Sequence, residues 1–171
     1  SNYKWMLGPY GTGFAYFSDR AIKMIKPASG NWISHSCSQD VNNMLNYKTS
    51  FFAGARKFDR GQSPNMLGMA SLESSLDLFL ELGLDNIQNY NQQLMQYLIE
   101  KTKKSPLEMK TPSTQTSHIL CLKSQTDSVL LKKRLEEHKV DVSVREGNIR
   151  ISVNFFNTEK DLDALLKALL I

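Results

Sequence analysis

Apolar residues recur at helical spacing in several segments of the chain and at strand spacing in others. Met66, Met69, Ala70, Leu72, Leu76, Phe79 and Leu80 fall three and four apart, which predicts a helix that stops at Gly83. Ser63 followed by Pro64 offers this helix an N-cap and a proline in its first turn. A second stripe, Ile87, Tyr90, Leu94, Tyr97 and Leu98, predicts another helix, with Asp85 and Gln88 as its capping pair and Asn89, Gln92, Gln93 and Gln96 on its polar face. A last helix begins at Thr158, with Asp161 three residues on, and buries Leu162, Leu165, Leu166, Leu169 and Leu170.

Between these helices the period changes. His118 to Leu122 reads as a strand, and Val129, Leu130 and Leu135 lie on a helix from Asp127 to His138. Val140, Val142 and Val144 alternate with polar residues, Glu146, Gly147 and Asn148 turn the chain, and Ile149, Ile151 and Val153 alternate again. This is a hairpin with one buried face. Strand, helix, hairpin, helix is the order of an open-faced α/β sandwich. Upstream, Phe14 to Phe17 reads as a buried strand after a Gly-rich turn, and Ile33 to Lys48, rich in Ser, Asn and Asp, reads as a loop. Pro106, Pro112 and the Ser/Thr cluster at 113–117 predict a second loop.

Composition narrows the class. With 171 residues, 41% of them hydrophobic, the chain can bury a real core and form one to two domains. No apolar run is long enough to span a bilayer, so no membrane partner is expected. The net charge of +4 comes from scattered lysines without a basic, aromatic-interleaved stripe. It reads as solvated surface and predicts no nucleic-acid partner. Cys37 and Cys121 are too few and too far apart for a disulfide framework or a zinc site, which points to a reducing, cytoplasmic setting. Cys121, within a strand, reads as a small core residue. His35, His118 and His138 show no metal-ligand spacing.

Two residues carry candidate chemistry. Lys4 precedes a tight turn containing Gly8, Pro9, Gly11 and Gly13. Glycines beside a lysine let backbone approach a ligand closely, and a constrained amine can act on a carbonyl. By itself the segment fits a solvated lysine before an ordinary turn better. Arg150 lies opposite Ile149 and Ile151 in the hairpin, with Ser152 and Asn154, and its planar fork suits a carboxylate. Arg145, in the same hairpin, is its competitor.

Three blocks in order resemble one family. Ser1 to Gly13 resembles the lysine segment of the class V aminotransferases, fold type I pyridoxal-phosphate enzymes. Gly54-Ala55-Arg56-Lys57-Phe58-Asp59-Arg60-Gly61-Gln62-Ser63-Pro64-Asn65 resembles the family's Arg-Phe-Asp/Glu-x-Gly stretch before a long helix. Val144 to Asp163 resembles its C-terminal Arg-x-Ser-x-His-x-Tyr-Asn-Thr-x-x-Asp-hydrophobic-Asp signature. The resemblance implies an α/β fold: the C-terminal part of a fold type I enzyme, ending in the small strand-helix-hairpin-helix domain. Residues 1–84 would be a remnant of the large cofactor-binding domain, and residues 85–171 a connecting helix with the small domain.

The same resemblance implies site residues and partners. Lys4 would hold pyridoxal phosphate as a Schiff base and move the proton at the substrate's α-carbon. Ser1 and Tyr3 would contact the phosphate, as would Gln62 or Ser63 across a homodimer interface, and Arg150 would bind the carboxylate of an amino-acid substrate. The family's pyridine-nitrogen partner and most phosphate ligands lie in a long N-terminal region not found in these residues, so the chain alone is expected to be inactive. Members that extract sulfur carry a loop cysteine where this chain has only the short Glu146-Gly147-Asn148 turn. That departure leans toward the isopenicillin-epimerase-like and kynureninase-like branches, and a desulfurase-like enzyme without that cysteine is the alternative within the family. Val153, Asn154 and Phe156 also replace the usual Pro, His and Tyr. A non-catalytic α/β fragment that binds a partner is the reading from another class.

Overall fold

The structure is a computed structural model that describes residues 2–43, 45–46, 49–61, 65–112 and 117–170, with backbone only at Val41. It divides into two compact units, Ser1–Leu78 and Phe79–Ile171.

The first unit is mostly turns. Helix α1 (Asp19–Met24) starts at Ser18, whose Oγ accepts from the Ala21 N–H at 3.2 Å. Lys57 closes its other end, its Nζ donating to the Ile22 and Ile25 carbonyls. The last carbonyls of a helix lack partners and carry partial negative charge, so a cation there satisfies both needs. Lys57 reaches them from a 3-10 turn, Gly54–Phe58, in which Phe58 stacks on Phe17 at 4.4 Å. Asn31 Nδ2 donates to the Asp59 carbonyl at 2.7 Å, and Arg60 Nη1 to Ser29 Oγ at 2.7 Å. The Arg-Phe-Asp-like block is therefore a clasp that ties residues 17–31 to residues 54–60.

Phe14 to Phe17 is not the buried strand that its apolar run suggests. These residues form no strand and have no ladder partner among the described residues, and Phe14 and Tyr16 are 66% and 88% exposed. A strand needs a neighbour to pair its N–H and C=O groups. The predicted loop from Ile33 contains two 3-10 turns, Ser36–Gln39 and Val41–Asn43, and an antiparallel His35–Phe51 bridge closes its base. Met44, Tyr47 and Lys48 in that loop lie outside the described residues.

Helix α2 (Met66–Leu82) is capped by Asn65, whose Oδ1 accepts from the Gly68 N–H at 2.9 Å. The predicted cap, Ser63 with Pro64, lies outside the described residues. Only one face of α2 is buried: Gly68, Leu72 and, about two turns on, Phe79. Met66, Leu67 and Leu80 remain exposed.

The second unit has a true core. Helix α3 (Leu84–Thr102) buries Ile87, Asn91, Leu94, Met95, Leu98 and Thr102. Its N-cap is Gly83 at φ +82, so Asp85 is not the capping residue. Asp85 stands in the first turn, where its carboxylate meets the positive end of the helix. Tyr90 OH donates to the Asn157 carbonyl at 2.8 Å, and Tyr97 OH to Asp163 Oδ1 at 2.6 Å. Two stripe tyrosines thus bury their rings partly and use their hydroxyls as ties.

The sheet has the order β1-β2-β4-β3, antiparallel throughout, with β1 (Glu108–Met109), β2 (Ile119–Lys123), β3 (Ser143–Arg145) and β4 (Asn148–Ser152). The sequence reading missed β1, which is two residues long and holds no apolar alternation. Helix α4 (Ser128–Glu137) is capped by Asp127, which accepts from the Val129 and Leu130 N–H groups. It buries Leu131 and Leu135, whereas Val129 is 77% exposed. Glu146 and Gly147, at φ +51 and +74, make the two-residue turn between β3 and β4. Both central residues of such a turn need positive φ to match the strand twist. Helix α5 (Glu159–Leu169) follows Thr158, whose N–H donates to Asp161 Oδ2 at 2.8 Å. Leu120, Leu122, Ile149, Ile151 and Val153 meet Leu98, Leu131, Leu165 and Leu169 in one apolar cluster. The strand-helix-hairpin-helix order predicted from the pattern is the order found.

Candidate active site

The lysine segment folds into a closed turn. Asn2 is its anchor: its N–H donates to the Thr12 carbonyl at 3.4 Å, and its carbonyl accepts from the Gly8 N–H at 2.9 Å. Thr12 Oγ1 donates to the Pro9 carbonyl at 2.7 Å. Inside this ring, the Leu7 N–H donates to the Lys4 carbonyl at 3.0 Å. Leu7 stands at φ +55, a conformation that costs a side-chain-bearing residue about 1–2 kcal/mol. Hydrogen bonds hold it there, including one to its carbonyl from Ser75 Oγ at 3.2 Å.

Gly8 is needed for close approach. A Cβ at this position would lie 3.0 Å from Asn2 Cβ and 3.1 Å from Leu72 Cδ1. Gly68 does the same on the helix side, where a Cβ would lie 2.8 Å from Thr12 Cγ2. Gly68, Leu72 and Ser75 stand four and three apart, so a single face of α2 seats the lysine turn.

The side chains on this turn form a small group that runs from buried to exposed. Lys4 is exposed and joins no ion pair among the described residues, and its Nζ lies 5.5 Å from the centroid of the Tyr3 ring. Tyr3 is half-buried and stacks on Tyr10 at 4.3 Å with 20° between the planes. Asn2 is buried, and its Nδ2 makes no hydrogen bond among the described residues. The turn therefore brings Lys4 and Tyr3 together, with an amine, a phenol and an unused amide donor in one short segment. Ser1, Gln62 and Ser63 lie outside the described residues. Asn2 and Tyr10 had no signal in the sequence, because neither joins an apolar period nor a motif position.

Arg150 belongs to the second unit. It pairs with Cys121 on one side and Ser143 on the other, on the sheet face opposite Ile149 and Ile151. Its guanidinium is exposed and donates to Ser143 Oγ at 3.4 Å. Arg145 pairs with Asn148 and so shares this face, at a position diagonal to Arg150. Neither arginine is in an ion pair among the described residues. Cys121 shares the face too; it is half-buried there and not a core residue, since the alternation puts Leu120 and Leu122 inward instead. Asn154, where the family signature has histidine, builds the turn into α5. Its N–H donates to Asn157 Oδ1 at 2.9 Å and its Oδ1 accepts from the Phe155 N–H at 2.8 Å.

Known proteins share this architecture. The fold is similar to that of the cystine C-S lyase C-DES in complex with its reaction product cysteine persulfide, with a TM-score of 0.82 and 19% identity over 99% of this chain and 45% of that one. A C-DES mutant with glycine covalently linked to the PLP cofactor gives 0.81 at 19% identity, over 97% of this chain and 43% of that one. The fold is thus that of a C-terminal portion of a fold type I enzyme. The sequence profile described as Aminotransferase class-V matches residues 1–165, and the chain belongs to that family. Among curated relatives, isopenicillin N epimerase of Streptomyces clavuligerus is 23% identical over 99% of this chain and 45% of that protein. Cysteine desulfurase of Wigglesworthia glossinidia brevipalpis is 28% identical over 95% of this chain and 42% of that protein. The chain spans less than half the length of these relatives. None of its described helices is long and apolar enough to cross a membrane.

Proposed function

We propose that this chain supplies the lysine and carboxylate-binding portions of a pyridoxal-phosphate-dependent enzyme acting on an amino acid. The observation that carries this reading is the Lys4 turn, in which an exposed amine stands on a segment locked by the Asn2, Gly8 and Thr12 hydrogen bonds. The residues present suit the group. Pyridoxal phosphate offers an aldehyde and a phosphate; Lys4 is an amine for the first, and Tyr3 OH and the orphaned Asn2 Nδ2 are donors for the second. When bound, the cofactor supplies the electron sink for bond cleavage at the α-carbon.

In this reading, Lys4 holds the cofactor and then moves the proton at the substrate's α-carbon. Arg150 orients the substrate by its carboxylate, with Arg145 on the same sheet face. Ser1 and either Gln62 or Ser63 add phosphate contacts, the last across a homodimer interface. Residues 1–84 then belong to a cofactor-binding domain and residues 85–171 to the connecting helix and small domain. Turnover needs groups outside this chain, because it spans less than half of its relatives. The two-residue Glu146-Gly147 turn holds no cysteine, which favours chemistry other than thiolate-carried sulfur transfer.

The test is to add pyridoxal phosphate, reduce with borohydride and map the labelled peptide. Label on Lys4, abolished in Lys4→Ala, is the expected result; label confined to other lysines would overturn the assignment.

A further inference from the structure

We propose that Tyr10 is a positioning residue for Lys4, acting through the ring of Tyr3. The inference rests on the assignment of Lys4 as the cofactor-holding amine, and it adds a residue that the family signature does not contain.

The geometry is local and closed. Tyr3 and Lys4 stand on one arm of the turn and Tyr10 on the other, so the chain reverses between them at Gly8 and Pro9. Three features fix the reversal: Leu7 at φ +55, the Gly8 N–H bond to the Asn2 carbonyl, and the Thr12 hydroxyl on the Pro9 carbonyl. Gly11, at φ +79, carries the chain on from Tyr10. The two rings then meet at 4.3 Å, nearly parallel, and the Lys4 ammonium lies 5.5 Å from the centroid of the inner ring. A cation within about 6 Å of an aromatic centroid is attracted by the negative face of the ring.

An exposed lysine has a flexible four-carbon stem and much rotamer freedom to lose when it reacts. A ring that can itself swing away gives such an amine no fixed place. The stack removes that freedom from Tyr3. Tyr10 is 79% exposed, so its ring contributes little to any core, and stacking on Tyr3 is the contact through which it acts. Pre-placing a reacting amine lowers the entropic part of the barrier to its reaction with a carbonyl.

The experiment uses the full chain with its lysines reductively methylated with carbon-13, the Lys4 signal being assigned by its loss in Lys4→Gln. The ring current of Tyr3 should displace the Lys4 signal upfield of the other lysines. The displacement should persist in Tyr10→Phe, which keeps the ring, and vanish in both Tyr10→Ala and Tyr3→Leu. On unmethylated protein, borohydride trapping with pyridoxal phosphate is read as the ratio of label on Lys4 to label on exposed Lys160. That ratio should fall about two- to tenfold in Tyr10→Ala and hold in Tyr10→Phe. An upfield signal that survives Tyr10→Ala, or an unchanged labelling ratio, overturns the role of Tyr10. If the signal responds as expected but Lys4 is unlabelled in every variant, the clamp stands and the cofactor assignment of Lys4 falls.

Discussion

Every member of the buried apolar cluster, from Leu94 to Leu169, belongs to the second unit, whereas Leu72 is the only large apolar side chain buried in the first among the described residues. What the first unit buries instead is polar: Asn2, Thr12 and Ser34, each engaged through backbone or hydroxyl hydrogen bonds. It leaves Tyr10, Phe14, Tyr16, Leu45, Met66 and Leu67 exposed. A net hydrogen bond contributes about 0.5–1.5 kcal/mol, less than a fully buried leucine at about 1.5–3 kcal/mol. The lysine thus stands in the unit held by turns and clasps, and the arginine on a sheet backed by a packed core. A segment held by turns and few buried apolar contacts opens more readily than a packed core.

The largest expected effect lies in the core. Leu98→Ala, at a side chain with no exposure, should cost about 2–5 kcal/mol in urea unfolding of the second unit. Leu67→Ala, at 87% exposure in the first unit, should change stability by no more than about 0.5 kcal/mol. Equal losses at the two sites would erase the contrast between the units.

Gly8→Ala comes next, at about 1–2 kcal/mol, because the new methyl presses on Asn2 and Leu72 and they must yield by tenths of an ångström. Its signature is local: faster amide exchange at Leu7 and Gly8, with the amides of β2 and β4 unchanged. A global shift would show that the turn and the core unfold together.

The smallest effect is set by pH. Burial holds the His118 imidazole below its usual pKa, since desolvation disfavours the charged form. The unfolded chain therefore binds the proton more tightly than the folded one. The stabilisation is complete above the unfolded value and is lost as pH falls through the folded one. Between about pH 7 and about pH 5 the urea midpoint of the second unit should drop, and His118→Gln should flatten that part of the profile. A slope unchanged by the substitution would place the sensitivity elsewhere.

The second unit was the more legible half. Its helices and hairpin follow from periods of apolar residues, and the Arg150 face follows from alternation, because both signals are local and the core that rewards them is contained within the unit. Reading failed where a residue's role depends on what lies opposite. Cys121 looked like core, but the pleat gives that side to Leu120 and Leu122. Asp85 looked like a cap, but Gly83 takes the position because the chain must turn at positive φ between α2 and α3. Asn65 caps α2 through its side chain, a role that its place in the sequence does not mark.

By itself the sequence determined the strand-helix-hairpin-helix order of the second unit, the place of its hairpin turn at Glu146 and Gly147, the membership of its family's motifs and the position of Lys4 before a glycine turn. Only the tertiary structure decided that Phe14 to Phe17 lacks a strand partner, that one face of α2 seats the lysine turn through Gly68, Leu72 and Ser75, and that Tyr10 folds back onto Tyr3. The physical reason is range. Periods and caps are written within a few neighbouring residues, whereas pairing, seating and stacking depend on groups that the chain brings together only after it has turned.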